Sequence, residues 1–156
     1  MARNPDASAK GFYSDLDRDG ILDGLDASVI IPAGQAVAGV PELAARLMLE
    51  TAGGAFPVVI LDSEVESRRS LAAPVLVGAN SLTRDLIKTG KLKVPAMESS
   101  WGIARVVPKA FGKSSALVFL ATETTALERT LSYFAHTFPF FDDYSDGRPQ
   151  FHDAAA

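Results

Sequence analysis

Apolar runs of strand length alternate with helix-length stripes in the first half of the chain. Residues 28–32 form a β-branched run that predicts a strand, and a connection rich in Pro and Gly follows it. Leucines at helical spacing predict a helix over residues 41–52, since Pro stands at its first position and Gly53-Gly54 ends it. The continuous apolar run 56–61 predicts a strand that is covered on both faces.

The second half of the chain continues this alternation and adds one hairpin. Residues 74–78 predict a buried strand, after which Asn80 or Ser81 can cap a short helix. Two further apolar runs, 103–107 and 116–121, predict a pair of strands joined by a turn that contains Gly-Lys. This pair is expected to form a hairpin.

A final amphipathic helix is predicted to start near Thr124 or Thr125, where Thr125 and Glu128 have capping-box spacing, and to end before Pro139. Strands that alternate with helices, together with one hairpin, indicate an α/β fold. We predict a two-layer sandwich with a mixed sheet of about five strands and about three helices.

The composition is that of a folded domain. At 156 residues and 47% hydrophobic content, the chain is long enough to bury a core and fits one domain of ordinary size. We expect residues 1–14 to form a flexible leader, residues 15–140 a single α/β domain, and residues 141–156 a tail or a linker to a further domain.

Charge and hydropathy exclude two classes of partner. The net charge is −4 and the basic residues are scattered, which argues against nucleic acid. The longest apolar runs are far shorter than the roughly 20 residues that cross a bilayer, so no membrane span is expected. The absence of Cys removes disulfides, thiolate metal sites and Cys nucleophiles, and it fits any compartment.

The most distinctive motif is the acidic stretch of residues 15–26. A Ca²⁺ ion takes about six to eight oxygen ligands, and a loop of this length supplies them from side chains at positions 1, 3, 5, 9 and 12 and a carbonyl at position 7. The predicted ligands are the carboxylates of Asp15, Asp17, Asp19, Asp23 and Asp26 and the carbonyl oxygen of Ile21. Gly20 stands at the sharp turn. Without a cation these carboxylates would repel one another, so a plain solvated turn explains their spacing poorly.

This stretch resembles the calcium loops of dockerins and of thrombospondin type 3 repeats, in which Asp-rich loops brace extracellular modules. The resemblance covers only residues 15–26, and Asp26 stands where a helix-loop-helix hand usually has Glu. Calcium is abundant outside cells, where loops of weak affinity stay occupied, so a secreted or periplasmic protein is expected. The ion would have a structural role and would fasten the leader to the sheet edge.

Other candidates for chemistry are weaker. His136 is explained by a cation favoured near a helix C-terminus, and His152 has no cluster of metal-ligating partners. Neither Gly-x-Ser-x-Gly nor a Gly-rich phosphate loop occurs. Two carboxylate pairs could serve a glycosidase, although exposed positions explain them more simply. They are Glu64 with Glu66 and Glu123 with Glu128. The chain itself is expected not to be catalytic.

Aromatic residues are concentrated toward the C-terminus. The distinctive ones are Trp101, Tyr133, Phe134, Phe138, Phe140, Phe141 and Tyr144. Such side chains can stack on sugars or form an interface, but aromatics in and after an amphipathic helix are more often packing. A core or domain interface is therefore preferred to a ligand site.

The order of elements carries a second resemblance, over roughly residues 28–140. The elements are a strand, a helix ending in Thr-Ala-Gly-Gly, Pro-Val-Val-Ile at 57–60, Pro-Val-Leu-Val-Gly at 74–78, Gly-Ile-Ala-Arg-Val at 102–106, Ala-Leu-Val-Phe-Leu at 116–120 and a last helix. This order resembles the N-terminal accessory domain of several glycoside hydrolase families, including α-glucuronidases and hexosaminidases. The chain departs from them at 121–125, which replaces the Gly-rich turn and the Tyr-Gly pair usual at the last helix. No catalytic residue carries over.

The resemblance implies a non-catalytic accessory domain of a larger secreted carbohydrate-active enzyme, with a neighbouring domain of the same polypeptide as its partner and Ca²⁺ as its cofactor. The alternative is a stand-alone extracellular calcium-dependent binding or assembly module for a glycan or a protein. A third class, an independent small hydrolase, lacks a convincing nucleophile or base. A catalytic domain encoded downstream favours the first interpretation, whereas a stop codon near Ala156 favours the second.

Overall fold

The computed structural model describes residues 12–14, 16–17, 23–49, 53, 56–67 and 71–137. The strands are β1 (Tyr13–Ser14), β2 (Gly24–Leu25), β3 (Ala27–Ile31), β4 (Val59–Leu61), β5 (Ala73–Val77), β6 (Gly102–Phe111) and β7 (Ser114–Ala121). The helices are α1 (Val40–Met48), α2 (Ser81–Lys88) and α3 (Thr124–Thr137), and a 3-10 turn, Asp62–Glu64, follows β4.

The main sheet has five strands in the order β4-β3-β5-β7-β6. Strand β3 runs parallel to β4 and β5, β5 runs parallel to β7, and β6 pairs antiparallel with β7. The predicted α/β class is therefore confirmed, with a mixed five-stranded sheet and three α-helices in the described part of the chain.

Side chains of the central strands alternate between two packed clusters, one on each face of the sheet. In β5, Val75 and Val77 lie in one cluster and Leu76 lies in the other. Helices α1 and α3 contribute their inner faces to the cluster that holds Val75, whereas α2 contributes Leu86 to the cluster that holds Leu76. The sheet with α1 and α3 forms the main sandwich, and α2 covers the opposite face.

Helix α1 has the predicted position but is shorter than predicted. It starts at Val40 with Pro41 in its first turn, where the missing N–H is not needed. Leu43 and Leu47 are fully buried one turn apart. The helix ends at Met48, before the predicted end near residue 52.

Strand β4 differs from the prediction for its segment. The apolar run 56–61 predicts a strand covered on both faces, but only Val59–Leu61 is a strand, and it lies at the edge of the sheet with each residue half-buried. Phe56 is 83% exposed. A local apolar run does not reveal where in the sheet a strand will lie, because strand order depends on long-range pairing.

The predicted hairpin is present as β6 and β7, joined by the turn that contains Gly112. Its ladder is interrupted by a bulge within 107–111. Lys109 in this bulge has a φ of 52°, which a side chain-bearing residue rarely adopts. The ammonium group of Lys91 donates to the carbonyl oxygens of Lys109 at 3.2 Å and Ala110 at 2.8 Å. The bulge is thus held by a side chain from the segment after α2.

Helix α3 begins at Thr124, as predicted, and packs directly against backbone on two sides. A Cβ placed on Gly39 would lie 2.7 Å from the Cβ of Leu131. A Cβ placed on Gly102 would lie 1.9 Å from the Oγ1 of Thr130. Only glycine permits approaches this close, so these two residues set the position of the helix.

Ordered structure extends upstream of the acidic loop. Residues 12–14, counted with the leader in the sequence-based prediction, include β1, and both Phe12 and Tyr13 are only 8% exposed. Residues 1–11 and the predicted tail, 141–156, lie outside the described residues. In the described part of the chain, no helix combines the length and apolar character needed to cross a membrane.

Candidate calcium clasp and the carboxyl edge of the sheet

The two ends of the acidic loop are joined by a short antiparallel ladder, which we call the clasp (β1 and β2). Its register pairs Tyr13 with Leu25 and Ser14 with Gly24. Two backbone hydrogen bonds extend it: the N–H of Asp23 donates to the carbonyl of Ser14 at 2.8 Å, and the N–H of Asp26 donates to that of Phe12 at 2.7 Å. The ladder therefore closes the loop at its base.

Two of the predicted ligand carboxylates lie at this base. Asp23 Oδ2 accepts the backbone N–H groups of Leu16 and, at 3.4 Å, Asp17. Asp26 Oδ1 accepts the hydroxyl of Ser14 at 3.4 Å. Each carboxylate thus uses one oxygen to bind the opposite side of the loop. No described residue hydrogen-bonds to Asp23 Oδ1 or Asp26 Oδ2.

The clasp is anchored in the hydrophobic core. Phe12, Tyr13 and Leu25 are each 8% exposed, and all three belong to the cluster that contains Leu43 and Leu47 of α1. Each such side chain contributes about 1.5–3 kcal/mol when it is removed from water. Anything that holds the loop closed therefore also holds these core residues in place.

The structure places the six predicted ligands as follows. Asp17, Asp23 and Asp26 are described. The side chains of Asp23 and Asp26 accept hydrogen bonds from the N-terminal side of the loop, from Leu16 and Ser14 respectively. Asp15, Asp19 and Ile21 lie outside the described residues. Among the residues that are described, no three carboxylate or imidazole side chains form a metal-sized group.

The donor chemistry at the clasp fits a calcium ion. The carboxylates of Asp17, Asp23 and Asp26 bring hard oxygen donors, which Ca²⁺ prefers. Asp23 and Asp26 also have no ion pair with a basic side chain among the described residues, so no described cation offsets their charge. Asp15, Asp17, Asp19, Asp23 and Asp26 would hold the ion with the carbonyl of Ile21, and the bound ion would supply positive charge and rigidity.

A second polar cluster lies at the carboxyl ends of the parallel strands, and we call it the carboxyl-edge network (Asp62, Ala33, Asn80 and Ser81). Asp62 directly follows β4, and its carboxylate accepts the N–H of Ala33 at 2.9 Å and that of Ser81 at 2.7 Å. The Ser81 N–H, at the start of α2, is the main reason that the pKa of Asp62 is lowered, and burial opposes this shift. Asp62 therefore occupies an anion position at a helix N-terminus.

Asn80 completes this network from within the core. It is fully buried, and its Oδ1 accepts the N–H of Thr83 at 2.8 Å, which confirms the predicted cap of α2. Its Nδ2 donates to the carbonyls of Ile30 at 3.1 Å and Val77 at 3.2 Å. Asn80 thus joins the ends of β3 and β5, and both polar atoms of its side chain have partners inside the protein.

This edge is where open α/β sheets usually bind ligands. The chain leaves β3 toward one edge of the sheet and leaves β5 toward the other, so the gap between them is the topological switch point. In this protein Asp62 and Asn80 fill that gap with internal hydrogen bonds. Asp62 is not among the residues predicted from the sequence, because its partners are 29 and 19 residues away along the chain.

Two of the remaining candidate residues, His136 and Glu64, have structural contacts. His136 Nδ1 lies 2.8 Å from the carbonyl of Ser132, and its Nε2 lies 3.5 Å from Glu42 of α1. Glu64 accepts the N–H of Leu61 at 2.8 Å. His152 lies outside the described residues.

The predicted capping box of α3 is not formed as expected. Glu128 accepts the N–H of Ala38 at 3.2 Å, and Thr125 lies inside the helix, which starts one residue earlier. Glu128 therefore ties α3 to the loop that precedes α1.

Comparison with known proteins adds no family to this description. No family model matches the chain, and no curated protein matches it either. The clasp, the carboxyl-edge network and the surface of the domain are therefore the features from which a function can be inferred.

Proposed function

We propose that this chain is a calcium-stabilised, non-catalytic accessory domain of a larger secreted carbohydrate-active enzyme. The observation that carries the proposal is the clasp, in which a ladder closes an acidic loop and Asp23 and Asp26 are placed at its base. Calcium at this loop would fix the N-terminal segment to the domain through Phe12, Tyr13 and Leu25.

The carboxyl-edge network supports the non-catalytic part of the proposal. In this class of sheet the switch point is the usual ligand site, and here it is occupied by Asp62 and Asn80. The helix N-terminus that could receive an anionic substrate already receives the carboxylate of Asp62. The polar side chains at the usual ligand position, Asp62 and Asn80, are therefore engaged in hydrogen bonds that stabilise the fold.

The carbohydrate-active part rests on the order of elements. The strand, helix and hairpin order predicted from the sequence, which resembles accessory domains of glycoside hydrolases, is the order in which β3, α1, β4, β5, α2, β6, β7 and α3 occur. The extracellular part rests on the loop, because sites of modest affinity remain occupied where calcium is abundant.

The experiment that tests the proposal is thermal melting of the purified chain in calcium and in chelator. A ligand at 100 times its dissociation constant stabilises by about 2.7 kcal/mol, so calcium should raise the Tm by several degrees. Asp15→Ala and Asp19→Ala should remove this rise. Glu66→Gln, a change in an exposed carboxylate of another loop, should retain it. An unchanged Tm of the wild type in calcium would refute the calcium site.

The second arm of the test is the gene. A catalytic domain encoded after residue 156 supports the accessory role, and its absence rejects that role. The alternative, a stand-alone extracellular module that binds a glycan or a protein, is favoured by exposed aromatic side chains between α3 and β6. A stop codon close after residue 156 together with a calcium-dependent Tm would select that alternative.

A further inference from the structure

An open groove lies between the start of β6 and the middle of α3, and we call it the aromatic groove (lined by Trp101, Gly102, Arg129, Thr130 and Tyr133, among others). Its volume is about 400 Å³, within the range of small-molecule sites. It lies on a different part of the fold from the clasp and the carboxyl-edge network. None of its residues has a part in either of those clusters.

The floor of the groove is rigid. The side chain of Thr130 lies against the backbone of Gly102, and its hydroxyl donates to the carbonyl of Ala126 at 2.8 Å. Since no side chain fits between them, helix and strand keep a fixed separation. Trp101 and Tyr133 are attached to these two elements, so their backbone positions are fixed as well.

The turn that carries Trp101 is held by four hydrogen bonds. The N–H of Trp101 donates to the carbonyl of Glu98 at 3.0 Å. The hydroxyl of Thr122 lies 3.2 Å from that carbonyl and 2.9 Å from the carbonyl of Ser99. Arg129 Nη2 lies 3.4 Å from the carbonyl of Ser100. The backbone at Trp101 is therefore fixed before any ligand binds, which lowers the part of the entropy cost of binding that comes from ordering the turn.

The aromatic side chains of the groove remain accessible despite this support. Trp101 is 53% exposed and Tyr133 is 58% exposed. The next residue along the helix, Phe134, is instead buried and packs edge-to-face on Phe119 with ring centroids 4.8 Å apart. The helix thus directs one aromatic ring into the core and leaves Tyr133 on the groove. Large aromatic rings exposed beside a groove are typical of recognition sites.

The charge of the groove selects the class of ligand. Arg129 is the one charged residue among the described lining residues. Its guanidinium has five N–H donors, and the contact with Ser100 leaves donors that can form a fork to a carboxylate. Arg129 is exposed, so a ligand that carries carboxylates gains an ion pair there that a neutral ligand cannot form.

We propose that the aromatic groove binds an acidic saccharide, meaning a chain of sugar rings that bear carboxylate groups. The C–H face of a sugar ring would lie on Trp101 and Tyr133, because aromatic faces carry negative partial charge and attract such hydrogens. Arg129 would bind the carboxylate, as bidentate pairs do. The choice of a saccharide rests on the proposed carbohydrate-active function, whereas the aromatic and cationic lining is independent of it.

The experiment is a fluorescence titration of the whole chain in calcium. Trp101 is the single Trp of the sequence, so emission reports directly on the groove. Trigalacturonate should change the emission, and galactotriose, its neutral counterpart, should bind at least tenfold more weakly. Arg129→Gln should remove this preference, and Tyr133→Ala should weaken trigalacturonate binding by roughly tenfold, as expected for loss of an aromatic contact. Arg84→Gln on α2 and Phe56→Ala are the matched controls and should bind as the wild type does.

Three outcomes of the fluorescence titration overturn the proposal. They are no binding of either sugar, equal binding of both, and a preference for trigalacturonate that survives Arg129→Gln. Calorimetry with Trp101→Ala supplies the readout that fluorescence cannot, and full affinity in that variant also overturns the proposal. A calcium-dependent Tm in protein that binds no sugar would reject the groove and leave the proposed function standing. If the protein binds the acidic sugar but shows neither a calcium-dependent Tm nor a downstream catalytic domain, the proposed function is rejected and the groove remains a binding site.

Discussion

The hydroxyl of Thr130 occupies the space in which a side chain on Gly102 would begin, at 1.9 Å from the expected Cβ. Two further atoms, Thr130 Cβ and the carbonyl oxygen of Ala126, lie within 3.0 and 3.2 Å of the same position. A single hydrogen atom on Gly102 therefore sets the distance between α3 and β6. That distance also sets the width of the aromatic groove.

Gly102→Ala should lower the free energy of unfolding by about 2–3 kcal/mol, because the methyl group must push α3 away from the sheet. Urea denaturation of the variant measures this change. Adding Thr130→Ala should recover part of the loss, since the closest contact disappears while the backbone contact at Ala126 remains. Gly34→Ala is the control, because its Cβ meets nothing within 4 Å and only its φ of 78° opposes the change. If Thr130→Ala recovered none of the loss, the packing explanation would be wrong.

Asp62→Asn should destabilise the protein by about 1–2 kcal/mol at neutral pH, because an amide cannot accept both N–H groups as a carboxylate does. The pKa of Asp62 is below its usual 3.8 in the folded protein, chiefly through the N–H of Ser81. A lowered pKa gives stability that is present above 3.8 and is lost as the pH falls through the folded-state value. The difference between wild type and Asp62→Asn should therefore be constant near neutrality and shrink below this pH. Urea denaturation across the acid range provides the check, and a constant difference would contradict the prediction.

Asn80→Asp should be among the most damaging single changes. It keeps the acceptor for the N–H of Thr83 but replaces the donor to Ile30 and Val77 with an oxygen that faces two carbonyl oxygens. A buried charge in such surroundings costs about 3 kcal/mol or more. Asn80→Ser removes the donor without adding a charge and should cost less. Because protonation would restore a donor, the loss in Asn80→Asp should decrease at lower pH, and a loss that grew instead would argue against the assignment.

Thr83→Val should stabilise the protein by about 1 kcal/mol. Thr83 is fully buried, and its hydroxyl has no hydrogen-bond partner in the structure. Valine has nearly the same shape and removes the unsatisfied group. Thr130→Val is the matched control, because the Thr130 hydroxyl does have a partner, Ala126, and its loss should not stabilise. Thermal melting is the measurement: the Tm should rise in Thr83→Val and should not rise in Thr130→Val.

The features of the fold that depend on short sequence distances were predictable. The cap of α2 by Asn80 lies three residues from its partner, and the β6–β7 hairpin is closed by a turn of Gly112 and Lys113. Each of these uses a local preference of the backbone, so pattern and spacing suffice to identify it. The edge position of β4 was not predictable in this way, because it follows from the pairing of β3 with two neighbours.

The candidate sites also differ in whether their residues are close together in the sequence. The acidic loop is a continuous motif, so its ligand set could be proposed from spacing alone. Asp62 could not be recognised, because its partners come from the segment after β3 and the start of α2. Trp101 and Tyr133 were expected to be packing residues. Their exposure depends on how α3 lies on Gly102, which no local pattern reveals.

The bulge in β6 has a consequence for how copies of this protein meet one another. An exposed edge strand is a template on which another chain can add a strand and begin aggregation. On β6 that template is interrupted, because Pro108 lacks an N–H, Lys109 turns the backbone and Lys91 occupies two carbonyl oxygens. The opposite edge offers only the three residues of β4. Regular pairing of an added strand along this longer border is thereby limited to the part of β6 before the bulge, residues 102–107.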